Sequence, residues 1–262
     1  MLKKSILSLA ILGSSTLFAH FQMLYTPESA LEKPSTIELR HIFTHPFSDE
    51  FTMDMVGFES FEVVNRGKKS DLLNSVKEIE FKGNNNSGKA YSSSYQARRM
   101  GDHVFLVTPK PYYEKSEDGY IQQFTKTIIN VAGAPSDWDS EFNLEAEIVP
   151  LTKPYAIWEG GTFTGIVKSK GEVVPFAEIE VEFLNRDVDL STNSMGKDLV
   201  EAPHDSFVTM TIKANKDGEF TFGIPKAGWW GFAALGVGPK TEFEGKELSQ
   251  DALIWVQAKK MK

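Results

Sequence analysis

Short runs of β-branched and aromatic residues, separated by turn residues, follow one another along most of this 262-residue chain. Such runs are typical of β-strands, because branched and aromatic side chains pack well on a pleated surface. No segment keeps the apolar spacing of an amphipathic helix over three turns, although residues 70–75 have some helical character. The sequence therefore predicts an all-β fold. In the first half the predicted strands are residues 35–44, 61–64, 76–82, 104–108, 127–131 and 144–150.

The second half shows a two-residue period clearly. Ala177, Ile179, Val181 and Phe183 alternate with Glu178, Glu180 and Glu182. This alternation predicts a strand with one buried and one exposed face. About seven short strands with turns between them indicate a β-sandwich of the immunoglobulin or transthyretin-like kind. Further predicted strands of this half lie within residues 161–184, 207–214, 219–224, 232–235 and 252–257.

A boundary near Pro154 divides the chain into two predicted β-sandwich domains, residues 20–152 and 153–262. Residues 1–19 are predicted to be a signal peptide. Lys3 and Lys4 give it a positive start, an apolar stretch follows, and Ala19 is the small residue expected before the cleavage site. We therefore expect export to the periplasm and a mature chain that begins at His20.

An N-terminal histidine can chelate a metal ion without further help, because its α-amino nitrogen and its ring Nδ1 can bind one ion together. Amine and imidazole nitrogens suit nickel, cobalt, copper and zinc. The alternative is that the peptidase leaves a histidine first without functional consequence. The predicted N-terminal histidine therefore supports the hypothesis that the mature protein binds a metal ion.

Composition narrows the possibilities further. The chain contains no cysteine, so thiolate ligands are excluded and an exported protein would lack disulfides. Its formal net charge is −8 and becomes two units more negative without Lys3 and Lys4, which argues against nucleic acid and anionic membrane surfaces as partners. No apolar run after residue 19 reaches the ~20 residues of a membrane-spanning helix.

The other histidines are His41, His45, His103 and His204. His41 and His45 lie four apart on a predicted strand, a distance of ~13 Å, so one ion could take only one of them unless the chain bends. His45 is the better candidate, because it stands before Pro46 at the strand's end. His103, at the mouth of the predicted strand at residues 104–108, is the third candidate ligand. His41 fits a half-buried strand equally well, and His204 fits a solvated loop.

Several other features have simpler explanations. Met53 and Met55 are possible thioether ligands, but methionine fills gaps in cores readily. Tyr112, Tyr113 and Glu114 could line a cleft or plug a loop. Arg98 and Arg99 form a charge pair of no evident meaning. The chain has no nucleophile elbow, phosphate-binding glycine loop or His-Glu-x-x-His motif, so we predict no catalytic site.

Motifs along the whole predicted mature chain resemble a known family. It resembles the periplasmic nickel- and cobalt-uptake accessory proteins, the Nik-type subunits of energy-coupling-factor transporters. The segment after THPF departs from the family pattern, so the resemblance does not extend to Met53 and Met55. The matching motifs are AHFQML, THPF, GDHVFLVTPKPYYE, IQQFTKTIINV, EIVPLTKPYAIWEG, TFTGIVKSKGEVVPFAEIEVEFLN, KDGEFTFGIPKAGWWGFAAL and ALIWVQAK.

The resemblance implies a soluble metal-binding component that works beside an inner-membrane permease of the energy-coupling-factor type. We therefore expect a non-enzymatic protein that binds Ni(II), with Co(II) or Cu(II) as alternatives. The expected ligands are His20, His45 and His103. Two alternatives remain: a periplasmic copper-binding protein, and a copper monooxygenase, since such enzymes also use an N-terminal histidine and a second histidine on a β-sandwich.

Overall fold

The computed structural model describes residues 20–48 and 51–261. Nearly all regular structure in these ranges is β-strand, which confirms the predicted fold class. The helical elements described are two single 3-10 turns, Leu73–Ser75 and Asp205–Phe207. Within the same ranges, no helix is long and apolar enough to cross a membrane. The predicted signal peptide, residues 1–19, lies outside the described residues.

The strands are numbered here in chain order. Those before residue 155 are β1 (Phe21–Tyr25), β2 (Ala30–Leu31), β3 (Ser35–Thr44), β4 (Phe58–Asn65), β5 (Lys68–Asp71), β6 (Lys77–Lys82), β7 (Ser87–Ala97), β8 (Gly101–Pro109), β9 (Tyr112–Glu114), β10 (Gly119–Val131) and β11 (Glu147–Pro150). Those after it are β12 (Ile157–Trp158), β13 (Thr162–Ser169), β14 (Glu172–Val173), β15 (Glu178–Phe183), β16 (Arg186–Asp189), β17 (Ser194–Asp198), β18 (Met210–Lys213), β19 (Glu219–Gly223), β20 (Gly228–Ala234), β21 (Glu242–Phe243) and β22 (Lys246–Lys259).

These described strands form three sheets. The first has the order β1-β3-β7-β6-β17-β16. The second, which we call the central sheet, has the order β18-β15-β20-β22-β10-β8-β4-β5, with β2, β9, β12 and β21 paired to its members. The third contains β11, β13 and β14, with β19 paired to β13. Most neighbouring strands are antiparallel, as expected for a sandwich fold.

The central sheet is covered on both faces. One face of β20 and β22 packs against the first sheet through Trp229, Ala233, Leu253 and Trp255. The opposite face packs against the third sheet in a core that contains Phe163, Phe220, Phe232 and Ile254. A further core, around Phe61 and Phe105, lies between the first sheet and β4, β8 and β10. The fold is therefore a sandwich of three layers around the second half of the central sheet.

The expected domain boundary near Pro154 does not interrupt the central sheet. The middle strands of this sheet are β10, from the first half, and β22, from the second, and they pair in parallel from Tyr120 and Leu248 to Thr127 and Trp255. Trp255 and Phe21 meet edge to face across the layers. The division into two domains stays a prediction, and any movement between the halves would have to break this strand pair.

Glu180 and Glu182 occupy an unexpected environment. Their register partners are Ala233 and Gly231, so they lie on the face of the central sheet that points toward the first sheet. Both side chains are buried, whereas the alternation of β15 predicted an exposed face. Burial, with nearby carboxylates as the second cause, raises the pKa of Glu180 to about 7. The layer that covers this face could not be recognised from the strand itself.

Candidate functional site

The register of two neighbouring strands brings His20 and His45 together. β1 runs antiparallel to β3, with Phe21 opposite Thr44. His20 comes directly before Phe21 and His45 directly after Thr44, so they occupy the next paired position along these strands. Their ring centroids are 4.5 Å apart. A pair of imidazoles this close can present two nitrogens to one ion.

Glu114, at the end of β9, completes this group. Its Oε2 lies 3.3 Å from Nε2 of His20. Its Oε1 accepts hydrogen bonds from the main-chain N–H of Ser116 at 2.9 Å and from the Ser116 hydroxyl at 2.7 Å. Burial alone would raise the pKa of this carboxyl. The hydrogen bonds from Ser116 and the charges of His20 and His45 outweigh burial, and they hold the Glu114 pKa below its usual value.

The two imidazoles lie on the floor of an open cleft of about 750 Å³. The His20 side chain is 13% exposed, and His45 is buried among its neighbours. Phe51, at the rim, is 56% exposed. The contact between His20 and Glu114 thus lies at a place that solvent and solutes can reach. The cleft is lined by His20, His45, Phe51, Thr52, Met53, Asp54, Val56, Asn86, Ser87, Tyr112, Tyr113, Glu114, Lys115 and Ser116.

The main chain of His20 is fixed from below by the central sheet. Gln123 of β10 donates from Nε2 to the His20 carbonyl at 2.7 Å and accepts from the main-chain N–H of Gln22 at 2.7 Å. The same amide donates to Asp251 of β22 at 3.2 Å. These hydrogen bonds therefore fix the position of the His20 main chain relative to β10 and β22.

The chain after His45 is fixed by the second half of the protein. The main-chain N–H of Phe47 donates to Oε2 of Glu182 at 3.2 Å. Asn185 donates from its main-chain N–H to the Pro46 carbonyl at 3.1 Å, and Arg186 donates to the Phe47 carbonyl at 3.3 Å. Both histidines of the cleft thus have anchored backbones, which favours a preformed site.

A family model described as a domain of unknown function, DUF4198, matches residues 17–238. The chain belongs to the DUF4198 family. The matched range includes His20, His45 and Glu114, so the cleft lies inside the DUF4198 region. A search of curated proteins finds no similar sequence.

Solved structures show only remote similarity to this DUF4198 chain. Dimeric latent PorU from Porphyromonas gingivalis is 10% identical, with a TM-score of 0.23, over 91% of this chain and 20% of PorU. The adhesin InvE from Yersinia pseudotuberculosis is 15% identical, with a TM-score of 0.24, over 89% of this chain and 58% of InvE. The chain thus spans less than two thirds of either protein. Similarities at these TM-scores carry no argument about function.

The structure does not bring His103 to the cleft. His103 is paired with Ile129 on β10, whereas the His20 carbonyl accepts a hydrogen bond from Gln123 on the same strand. Ile129 and Gln123 are six residues apart, which corresponds to ~20 Å along a strand. Both ring nitrogens of His103 have partners: Nδ1 lies 3.2 Å from the Tyr95 hydroxyl and Nε2 lies 3.0 Å from the Arg99 carbonyl. Of the expected set of His20, His45 and His103, the structure of this DUF4198 protein brings only the first two together.

The remaining histidines lie away from the cleft's donor group. His41 is fully buried between Phe58 and Phe61, with Nε2 3.0 Å from the Ser93 hydroxyl. Burial first, and the charge of Arg40 second, lower the pKa of His41 to about 3. His204 lies in an exposed loop, where its Nδ1 accepts from the main-chain N–H of Ser206 at 3.2 Å.

Met53 and Met55 pack as core residues beside the cleft. They form a small apolar cluster with Phe43, in a segment without regular strand structure. The Met55 sulfur accepts a hydrogen bond from Nε2 of Gln22 at 3.7 Å. Their arrangement matches the expected role in packing, although Met53 also lines the cleft.

Among the residues that the structure describes, no group of three or more His, Cys, Asp or Glu side chains is spaced to hold a metal ion. The side chains of His20, His45 and Glu114 are therefore not a complete metal site by themselves. From the sequence, Glu114 is only a possible cleft residue. Its link to His20 depends on a hairpin, β9–β10, that no local motif specified.

Proposed function

We propose that this protein binds one divalent metal ion, nickel before cobalt or copper, in the cleft formed by His20, His45 and Glu114. The observation that carries the proposal is the pair of imidazole rings with centroids 4.5 Å apart at the floor of an open cleft. Imidazole nitrogen is a good ligand for all three metals. The ion would be cargo that the protein binds and releases.

The missing donor is the α-amino group of His20, which exists only after cleavage behind Ala19. The amine and Nδ1 of the same residue would form a chelate ring, and His45 would add a second imidazole. This explains why side chains alone do not make a complete site. Export and cleavage are therefore parts of the proposal, and they place the mature protein in the periplasm.

Glu114 has a positioning role in this arrangement. In neutral His20, the Nε2–H donates a hydrogen bond to Glu114, and Nδ1 then carries the lone pair that a metal requires. A carboxylate that accepts from the remote ring nitrogen fixes the tautomer and makes the imidazole a more basic ligand. Ser116 in turn fixes the carboxylate through two hydrogen bonds.

The proposed partner is an inner-membrane metal permease of the energy-coupling-factor type. Two features support it: the sequence resemblance to Nik-type accessory proteins, and the exposed Phe51 at the cleft rim. An ion at the floor of an open cleft can pass to a docked permease without unfolding of either layer.

The second candidate is copper chemistry. An N-terminal histidine beside a second histidine on a β-sandwich is also the arrangement expected for a copper monooxygenase, and the His20–His45 pair is compatible with it. The test is to prepare the mature chain that starts at His20 and titrate Ni(II), Co(II) and Cu(II) by calorimetry at pH 7.5. Tight binding of Ni(II) or Co(II) supports the uptake protein. Binding of Cu(II) alone, with oxygen consumption driven by ascorbate, supports the monooxygenase.

Two variants make the test specific. One extra alanine before His20 leaves every side chain in place and removes the amine chelate, so we expect a large loss of Ni(II) affinity. His45→Ala removes the second imidazole, with His204→Ala as the control for loss of an exposed histidine. Equal affinity of the extended and native mature chains would refute the amine as a ligand.

A further inference from the structure

A second cleft lies at the opposite end of the first-half sandwich core. It has a volume of about 410 Å³ and is lined by residues of β4, β5, β7 and β8 and of the β7–β8 connection. None of its lining residues lines the His20 cleft. Its size is within the range of ~300–1,000 Å³ typical of sites for small molecules.

The second cleft is basic in an acidic protein. Lys68, Arg98 and Arg99 line it, and no Asp or Glu is among its lining residues. The register places Lys68 opposite Asn65 and Ser70 opposite Val63, so the lysine and the Ser70 hydroxyl share one face of β5. The arginine pair, which had no evident meaning in the sequence, is thus joined by a lysine from another strand.

These three cations have no carboxylate partners in the described part of the chain, whereas many other basic side chains there form ion pairs. Asp102 and Asp137 are the carboxylates whose charges act on His103. Both accept hydrogen bonds from main-chain N–H groups instead of pairing with these cations. The Arg98 guanidinium is oriented by two hydrogen bonds to Oε1 of Gln96. The positive charge of the cleft is therefore not neutralised by carboxylates, and the Arg98 guanidinium has a defined orientation.

His103 and Tyr95 form the polar wall of this cleft. Because the Arg99 carbonyl can only accept, Nε2 of His103 carries a proton, and in the neutral ring Nδ1 accepts from the Tyr95 hydroxyl. A second proton on His103 would reverse the bond to Tyr95 and release the Tyr95 O–H to donate into the cleft. Burial holds the pKa of His103 below its usual value, and a bound anion would raise it.

We propose that the second cleft binds a small organic polyanion with two or more carboxylate or phosphate groups. Arg98 and Arg99 supply planar donors that suit such groups, and Lys68 supplies a third charge. Tyr95 and His103 add a donor that becomes available as the anion binds. This site is independent of the metal cleft, so failure of one proposal leaves the other intact.

The experiment uses the metal-free mature chain and two probes, citrate for carboxylates and pyrophosphate for phosphates, titrated by calorimetry at low and at physiological salt. We expect saturable binding of at least one probe, which weakens as salt increases. Arg98→Gln with Arg99→Gln should weaken it by about tenfold or more, because both planar cationic donors are lost. The matched control is Lys213→Gln with Lys216→Gln, the same charge change on exposed lysines elsewhere.

The proposal is overturned if neither probe binds saturably, if affinity survives the arginine double variant, or if the lysine control weakens binding equally. A second readout follows the His103 ring by NMR. The bound probe should raise the His103 pKa in the native chain and raise it less in Tyr95→Phe. A probe that binds but leaves this pKa unchanged would also overturn the assignment to this cleft.

Discussion

Oε2 of Glu182 accepts a hydrogen bond from the main-chain N–H of Phe47 at 3.2 Å, two residues beyond His45. The same carboxyl is bonded to the Thr209 hydroxyl through Oε1. A buried acid on β15 therefore anchors the chain segment that presents one of the two histidines of the cleft. Burial raises the pKa of Glu182 to about 8, even though both hydrogen bonds act to lower it.

This raised pKa predicts a pH-dependent stability. The folded protein holds a proton on Glu182 that the unfolded chain loses above a pKa of ~4.3, so the stabilising effect is present at lower pH. The free energy of unfolding should then decrease as pH rises from about 5 to about 8, by at most ~1.4 kcal/mol per pH unit from this group. Glu182→Gln keeps both hydrogen-bonding positions and should flatten the curve. Urea unfolding between pH 5 and 8 checks this, with Glu178→Gln as the exposed control on the same strand; an unchanged slope in Glu182→Gln would contradict it.

Metal affinity should depend on pH through the His20 amine. An α-amino group has a pKa of ~7.7–8.0 and must lose its proton to coordinate a metal. The Ni(II) dissociation constant should therefore rise by up to about tenfold for each unit below pH 7.5. Titrations from pH 5 to 8 measure this dependence, and a constant affinity over that interval would argue against the amine ligand.

Glu114→Gln tests the positioning of the His20 ring. The substitution removes the negative charge and leaves a weaker amide acceptor for Nε2–H of His20, and we expect Ni(II) affinity to decrease by about 10- to 100-fold. The melting temperature should change little, because the site is at the end of the short strand β9. Glu117→Gln, the same charge change three residues away, is the control. Equal losses in the two variants would indicate a general effect of charge.

His103→Gln tests whether metal binding in the His20 cleft is independent of His103 in the second cleft. The distance along β10 that places His103 far from His20 predicts unchanged Ni(II) affinity, in contrast to His45→Ala. Glutamine can still donate to the Arg99 carbonyl and accept from Tyr95, so the fold should be kept. Nickel titration of both variants decides whether the cleft needs two histidines or three.

Gly231→Ala tests the packing that supports β1. A Cβ at this position on β20 would lie 2.9 Å from Cδ1 of Phe21 and 3.0 Å from Cη2 of Trp255. Both neighbours are rigid rings in the core, so we expect a loss of about 1–3 kcal/mol in the free energy of unfolding. Gly223→Ala is the matched control, because no atom lies within 4 Å of its added Cβ. Chemical unfolding of both variants measures the difference.

Local sequence patterns predicted some elements well. The predicted strand at residues 35–44 coincides with β3, and the predicted strand at residues 219–224 contains β19. β1 was not predicted, because all five of its residues are buried and its sequence therefore does not alternate. β7 was missed as well, since its serine-rich sequence has low strand propensity and its structure depends on pairing with β3 and β6.

The candidate site was only half predictable. His20 and His45 were recognised by their chemistry and their positions at an expected terminus and strand end. Their contact depends on the β1–β3 register, which no short-range signal specifies. His103 appeared equivalent in the sequence because it also lies near the start of a strand. That strand, β8, places His103 opposite Ile129 on β10, away from the part of β10 that contacts His20. The burial of Glu182 likewise depends on segments far away in the chain.

The position of β22 between β20 and β10 has a consequence for biogenesis. Residues 246–259 are synthesised after the other members of the central sheet, yet they fill its middle. Until they emerge, the two flanking strands have no common neighbour and the layers on either side lack a support. Folding with so many contacts between distant parts of the chain is expected to be slow. The central sheet would therefore remain incompletely assembled until its last strand has been synthesised.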